Sequence, residues 1–288
     1  MLKLLTPVVT GRSKVDFSYS DKILVLGSCF ADNIGEKLSN ASFDVMVNPF
    51  GTLYNPLSIA NALSRLESAV PFSEEDCVKM GSGSELYCSF SHHTSFARKT
   101  PGEWLSNANA SLSEASKFWK EATKVIVTLG TAWCFFREGE AVANCLKRDR
   151  EEFTRMLLGV GQCSSVMSSF LGRFASEERR FIFTVSPIRH MADGAHGNQV
   201  SKATLLLALE NAMAKYPAFT EYFPAYEIVL DELRDYRFYS EDLVHPSPVA
   251  VDYLWERFCD FALREGEGET LKVKEKEYRR SLHRPLHP

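Results

Sequence analysis

No stretch of the chain is apolar for long enough to span a bilayer, which takes about 20 residues. Nor is there a basic excess: 33 Lys and Arg stand against 37 Asp and Glu, a net charge of -4. Neither nucleic acid nor an anionic membrane is therefore an expected partner. The seven cysteines, at 29, 77, 88, 134, 145, 163 and 259, include no CxxC. An odd, scattered set speaks against a disulfide framework or a zinc ribbon and for the reduced thiols of a cytoplasmic protein. The N-terminal "MLKLLTPVVTGRSKVDF" lacks the apolar h-region and small-residue cleavage site of a signal peptide. No internal repeat and no low-complexity segment interrupts the chain.

What the chain does have is core material, with 45% of its 288 residues hydrophobic and 24% charged. Short apolar runs alternate with longer helical patterns. Strands are read at 22–27, 43–51, 124–133, 179–190 and 225–233, and a hairpin or insertion at 86–96. Helices are read at 32–41, 57–68, 104–122, 150–175 and 200–216. From 245 onward the chain is mostly helical, with Ser247 as N-cap and Pro248 at the first helical position. Strands separated by helices need crossover connections, which produce a mostly parallel sheet covered on both faces. The expectation is one α/β domain over 1–288, a three-layer α/β/α sandwich. An insertion falls around 70–120 and a helical tail around 265–288.

In such sheets the chemistry lies at the carboxyl ends of the strands. The first such end is Gly27-Ser28-Cys29, two adjacent nucleophile types at the mouth of a helix. Free N–H groups and the helix dipole stabilise an anion there, whether a reaction oxyanion or a thiolate. The competing reading makes Ser28 an N-cap and Cys29 a small core filler. Asp242 and His245 stand three apart in "SEDLVHPSP", a spacing at which a carboxylate reaches the imidazole of its own turn and fixes its tautomer. After the fourth strand, Arg189 is a candidate for binding an anionic substrate group, and His190 points to the same rim. Asn198, Ser201 and Lys202 either touch substrate from a loop over 193–202 or begin a polar helix. Tyr222, Phe223, Tyr226, Tyr236, Phe238 and Tyr239 are a sugar-stacking surface or core. His92, His93 and His196 have no carboxylate at ligand spacing, so no metal is expected.

The string Gly27-Ser28-Cys29-Phe30-Ala31 resembles the name-giving motif of the GSCFA family, which is grouped with the SGNH (GDSL-like) hydrolases. "NPFGTLYNP" (48–56), "TLGTAW" (128–133), "VANC" (142–145), "VSPIRH" (185–190) and the stretch 222–247 extend the likeness to about residue 260. The resemblance implies a flavodoxin-like sheet and a nucleophile after the first strand. It also implies an Asp-x-x-His pair near the C-terminus, met by Asp242 and His245. Oxyanion donors would come from the nucleophile's own N–H, from a glycine after strand two (Gly51) and from a third block that begins at Gly130. In that block Ala132 stands where the pattern has Asn, leaving Asn48 and Asn55 as replacements. Aligning Gly27 with the motif glycine puts Cys29 at the nucleophile position, with Ser28 the runner-up.

The expected activity is hydrolysis or transfer of an acyl group through a covalent acyl-enzyme. The substrate is a small molecule or a carbohydrate, with a separate acyl donor if the reaction is transfer. No cofactor is implied, and no oligomeric state is specified. A catalytically silent glycan- or ligand-binding protein of the same fold is the alternative.

Overall fold

The computed structural model describes residues 5–282; the first four residues and the last six, which include the end of the expected helical tail, lie outside it. The chain opens with β1 (Lys22–Gly27), α1 (Cys29–Asn40), β2 (Asp44–Val47) and α2 (Pro56–Ser68). A small hairpin, β3 (Val78–Lys79) and β4 (Tyr87–Cys88), precedes α3 (Pro101–Glu121) and β5 (Lys124–Leu129). An antiparallel trio follows, β6 (Trp133–Arg137), β7 (Glu140–Val142) and β8 (Thr154–Leu157). Then come α4 (Val160–Phe174), β9 (Arg180–Val185), α5 (Gly194–Met213) and β10 (Thr220–Tyr222). A turn of helix α6 (Ala225–Glu227) runs into a π-helical turn, Ile228–Leu233, before α7 (Pro248–Ala262) and α8 (Gly268–Leu282). Among the described residues no helix is long and apolar enough to cross a membrane.

Five strands form the central sheet in the order β10-β9-β5-β1-β2, every pair parallel. Counted in chain order they read 2-1-3-4-5, the doubly wound flavodoxin-like arrangement. The period-2 alternation of each strand splits the core in two. Leu24 and Leu26 of β1 join Val125, Val127 and Leu129 of β5 beneath α2, α3, α4 and α5. Ile23, Val25, Ile126 and Ile182 face the other way, toward α1 and α7. The protein is thus a three-layer α/β/α sandwich. Within the stretch 70–120, α3 buries Trp104, Leu112 and Trp119 in the same cluster as β5, while 70–100 carries the small hairpin.

Three segments depart from the sequence reading. The run 225–233 is coiled, not extended: Ala225, Tyr226, Ile228 and Val229 are its buried positions, a helical spacing in a short apolar stretch that also fits a strand. The last strand is instead the three-residue β10. The helix expected from 150 begins only at Val160, where Gln162 accepts from the Gly159 N–H (2.9 Å), and 154–157 pairs with β6. The strand expected over 124–133 ends at Leu129, because Gly130 N and Thr131 N both turn to donate to Tyr54 O (2.8 and 2.9 Å).

The helix α3 also carries one wall of a cage for His92, which is fully buried among Phe50, Phe72, Phe96 and Trp104. Burial pushes the imidazole down to about 3, and the nearby Arg65 charge adds to the shift. Between the unfolded value and that folded value the unfolded chain binds the extra proton, so stability is full above pH 6.5 and falls as pH drops toward 3. The His92→Phe variant is expected to lose less stability over that window, by about 4 kcal/mol at most. Urea midpoints measured from pH 7 to pH 4 test this; parallel curves for the two proteins would contradict it.

Candidate active site

The doubly wound order makes the loops after β1 and β5 diverge at the centre of the sheet, and the candidate residues gather there. Gly27 ends β1. Its N–H donates to Asn48 Oδ1 (2.8 Å) and its carbonyl accepts from Leu53 N (2.8 Å), which ties the second loop to the first. Ser28 is 1% exposed and acts as the N-cap of α1, its Oγ accepting from Phe30 N (3.3 Å) and lying 3.2 Å from Thr128 Oγ1. Cys29 is the first residue of the helix and half-buried. First-turn N–H groups such as its own have no intrahelical acceptor. Its Sγ lies 3.6 Å from Tyr54 Oη.

The Asp242–His245 turn is built from its own backbone. Leu243 adopts φ +57° and donates to Ser240 O (2.9 Å), while Ser240 N donates to His245 O (2.8 Å). Asp242 Oδ1 accepts from His245 N (3.0 Å) and Val244 N (2.9 Å), and Oδ2 lies 2.6 Å from His245 Nδ1. The His245 backbone N–H, then its ring, then the Val244 N–H hold the Asp242 carboxyl down to about 2. An ionised carboxylate only accepts, so Nδ1 carries a proton and Nε2 is the nitrogen left free of the carboxylate. Ser247 caps α7 through Ala250 N (3.3 Å), with Pro248 at its first position, as the sequence implied. His245 and Cys29 line one cavity of about 400 Å³ between α1 and α7, together with Asn33, Ser240 and Pro246. The Lys37–Asp252 ion pair joins the two helices along its side.

Arg189 braces this turn with one of its side-chain N–H groups and lines a cavity with Tyr236 and Tyr239. Its Nη1 donates to Leu243 O (3.0 Å) and its backbone N–H to Val244 O (3.1 Å). We expect Arg189→Met to lower the turnover of any reaction run by His245 by about tenfold, through a displaced imidazole. Stopped-flow rates for both proteins measure this, and an unchanged rate would show that the backbone alone holds the turn.

Two of the expected oxyanion donors, the Gly51 N–H and the Asn48 amide, are committed to other bonds. Gly51 N already donates to Asn48 O (2.7 Å), and Gly51 backs onto His93, whose Cβ stands 2.3 Å from where a Cβ would sit. Its N–H is therefore committed to a turn. Asn48 Oδ1 accepts from Gly27 N and its Nδ2 donates to Asp32 (2.6 Å), whereas Asn55 caps α2 through Oδ1, accepting from Ser58 N (2.9 Å), and its Nδ2 donors take no part in the cap. Gly130 is brought to the centre: a Cβ there would come within 3.3 Å of His190 Nε2 and 3.4 Å of Ser28 Cβ. His190 lies behind that glycine. Burial, then the Lys202 charge, push it down to about 4, so the ring is neutral near pH 7, and Nε2 has no partner among the described residues.

The stretch 193–202 is the start of α5 and not a loop over the cleft. Three buried side chains of this helix grip the backbone of the site loops. Asn198 Oδ1 accepts from His190 N (2.9 Å), and Ser201 Oγ accepts from Ala132 N (2.9 Å). Lys202, 1% exposed, donates to Gly130 O (2.8 Å) and Ser186 O (2.6 Å). Among the other residues weighed in the sequence, His196 is exposed on α5 and Tyr236 is 66% exposed, whereas Phe223 and Tyr226 are core. Among the described residues no group of three His, Cys, Asp or Glu is arranged to hold a metal ion.

Tyr54 is the residue the sequence reading passed over. Thr52 Oγ1 donates to its hydroxyl (3.1 Å), and that hydroxyl meets Cys29 Sγ at 3.6 Å, either atom being able to donate. Burial pushes the phenol up to about 12, so it is a donor at neutral pH. Its place in "NPFGTLYNP" was visible, but only the folded loop brings its hydroxyl to the thiol.

The model of the GSCFA family matches residues 22–258, from the first residue of β1 to near the end of α7. No curated protein matches the chain.

Proposed function

Because the chain belongs to the GSCFA family, we propose that it is an acyl-ester hydrolase or acyltransferase of the SGNH type, with Cys29 as nucleophile, His245 as base and Asp242 as its orienting carboxylate. The observation that carries this reading is the shared cavity of Cys29 and His245, with the Nδ1 of His245 held by Asp242 at 2.6 Å. As the Sγ–C bond forms on the ester carbonyl, the thiol proton passes to His245 Nε2. The tetrahedral oxyanion collapses, the C–O bond breaks, and His245 returns the proton to the leaving oxygen. Water or a second hydroxyl then attacks the thioester, giving its proton to His245. The S–C bond breaks and the thiol is restored. Water makes the reaction a hydrolysis, and a small-molecule or sugar hydroxyl makes it a transfer.

The oxyanion needs donors. The free N–H of Cys29 at the mouth of α1 is one. The Tyr54 hydroxyl, 3.6 Å from Sγ, is the other, in place of the asparagine that Ala132 replaces and of the committed Gly51 N–H. Seven free thiols fit a reducing, cytoplasmic setting.

Pre-steady-state release of p-nitrophenol from p-nitrophenyl acetate tests the mechanism. A burst of about one equivalent per chain is expected, slowed about 10²-fold in Tyr54→Phe. A second reading, a silent binding protein of this fold, is favoured by one observation: among the described residues the sulfur's bonded neighbour is Tyr54, not His245. It predicts no burst and no effect of Tyr54→Phe.

A further inference from the structure

We propose that the cavity between α2 and the two accessory sheets is a second binding site, for a neutral saccharide. It measures about 670 Å³ and shares no lining residue with the cavity beside Cys29. That size falls within the range of small-molecule sites, about 300–1,000 Å³, but such sites are mostly apolar and this one is not. Its walls carry both donors and acceptors, which is what a ring of hydroxyl groups requires.

The donors come chiefly from one face of α2. Arg65 lies over Phe72, its guanidinium carbon 4.5 Å from the ring centroid. It gives one N–H to Val70 O (2.9 Å) and makes no ion pair among the described residues, so its remaining N–H groups are uncommitted. The stack holds the planar group in place, so little freedom is lost when a ligand binds. Two turns earlier on the same face is Ser58, 4% exposed, whose Oγ has no partner among the described residues. A buried hydroxyl left in that state costs about 1–3 kcal/mol, and a side-chain rotation would turn it toward the cavity that Ser58 lines.

The acceptors face α2 from the accessory segments. Asp76 follows the loop that carries Phe72, and Glu138 and Glu140 flank the tip of the β6–β7 hairpin. Arg137 is already neutralised by Glu138 (2.8 Å). Two arginines against three carboxylates give the lining a net charge of -1. A phosphate, nucleotide or other anion is therefore repelled, while a neutral polyol can both donate and accept. The bases of these walls belong to the segments 70–100 and 133–143, which add to the central sheet rather than build it. The proposal does not rest on the reactivity of Cys29.

The test is an NMR titration of the full chain with glucose, galactose, mannose, N-acetylglucosamine and maltose, with glucuronate as the charged comparator. At least one neutral sugar is expected to give saturable shifts around 58–65 and 137–143. Arg65→Met is expected to raise its Kd about fivefold or more, and Cys29→Ala to leave it unchanged. Asn61→Ala, on the exposed side of the same helix face, supplies a second variant if Arg65→Met misfolds. No saturable shift with any neutral sugar would overturn the proposal. So would a Kd unmoved in both variants, or tighter binding of glucuronate than of glucose. A titration that succeeds in a protein with no acyl-transfer activity would uphold this site while ending the reading of Cys29 as a nucleophile.

Discussion

Cys29→Ala is expected to turn over an activated acetyl ester at least about 10³-fold more slowly than the native protein, the scale on which loss of a nucleophile is felt. Its melting temperature should stay within about 2 °C of the native value, because little packing is lost. Cys29 is half-buried at the first position of α1, and its sulfur borders a solvent cavity on one side and the Tyr54 hydroxyl on the other. Ser28→Ala is the matched control. Ser28 is 1% exposed and its Oγ is used within the fold, accepting from Phe30 N at 3.3 Å. Losing an N-cap costs about 1 kcal/mol of stability and should leave the rate near native. If Ser28→Ala abolished turnover and Cys29→Ala did not, the nucleophile would be Ser28, and the cap would have to open during the reaction.

Gly27→Ala should do the opposite, damaging the fold before the chemistry. A Cβ at this position would stand 2.1 Å from Thr128 O and 2.5 Å from Thr128 Oγ1, and the backbone φ is +142°. Neither neighbour can retreat easily, since Thr128 lies within β5 at the centre of the sheet. Gly27 itself is fixed from two sides by Asn48 Oδ1 and Leu53 N. Forced backbone strain and a broken central pairing together place the loss above about 3 kcal/mol. For a chain of this size that is a fall in melting temperature of roughly 6–12 °C or more. Thermal melts followed by circular dichroism read it directly. An unchanged melt would mean that the loop after β1 has slack that its hydrogen bonds do not suggest.

How much of this could be read from the residues varies with the range of the interactions involved. β1, β5 and β9 were legible because strands buried on both faces are continuous apolar runs, and each ends at a Gly or Pro loop. The Asp242–His245 pair was legible because its geometry is local: three residues and one turn contain the whole contact. So was the Ser247-Pro248 start of α7. The Asn55-Pro56 start of α2 carries the same signature, Asn at the cap and Pro at the first helical position, and could have been read the same way. The family likeness drew attention to the Asn55 amide as an oxyanion donor, and the cap signature beside it went unread.

What escaped was set by distant partners. Nothing in "AYEIVLDEL" chooses helix over strand until Tyr226 joins the core cluster of α5 and Val229 that of α7. Asn48, Pro49 and Gly51 mark a turn, but they do not say that Asn48, at φ +43°, turns its own carbonyl onto the Gly51 N–H. Tyr54 meets Cys29 only because Leu53 N is bonded to Gly27 O across two loops. The grip of Asn198, Ser201 and Lys202 on the site backbone likewise exists only once α5 packs beside β9. Polar residues buried at the start of a helix were the available clue, and exposure is what a sequence does not state.

The central claim is that the sulfur of Cys29 takes up an acyl group with His245 as its base. Intact-mass and peptide mass spectrometry after brief exposure to an activated acetyl ester, quenched in acid, tests it most directly. The account predicts one acetyl group per chain, on the peptide that contains Cys29 and on its sulfur, absent when His245 is replaced by alanine. An acetyl group on Ser28, or labels scattered over surface lysines with Cys29 unmodified, would contradict it.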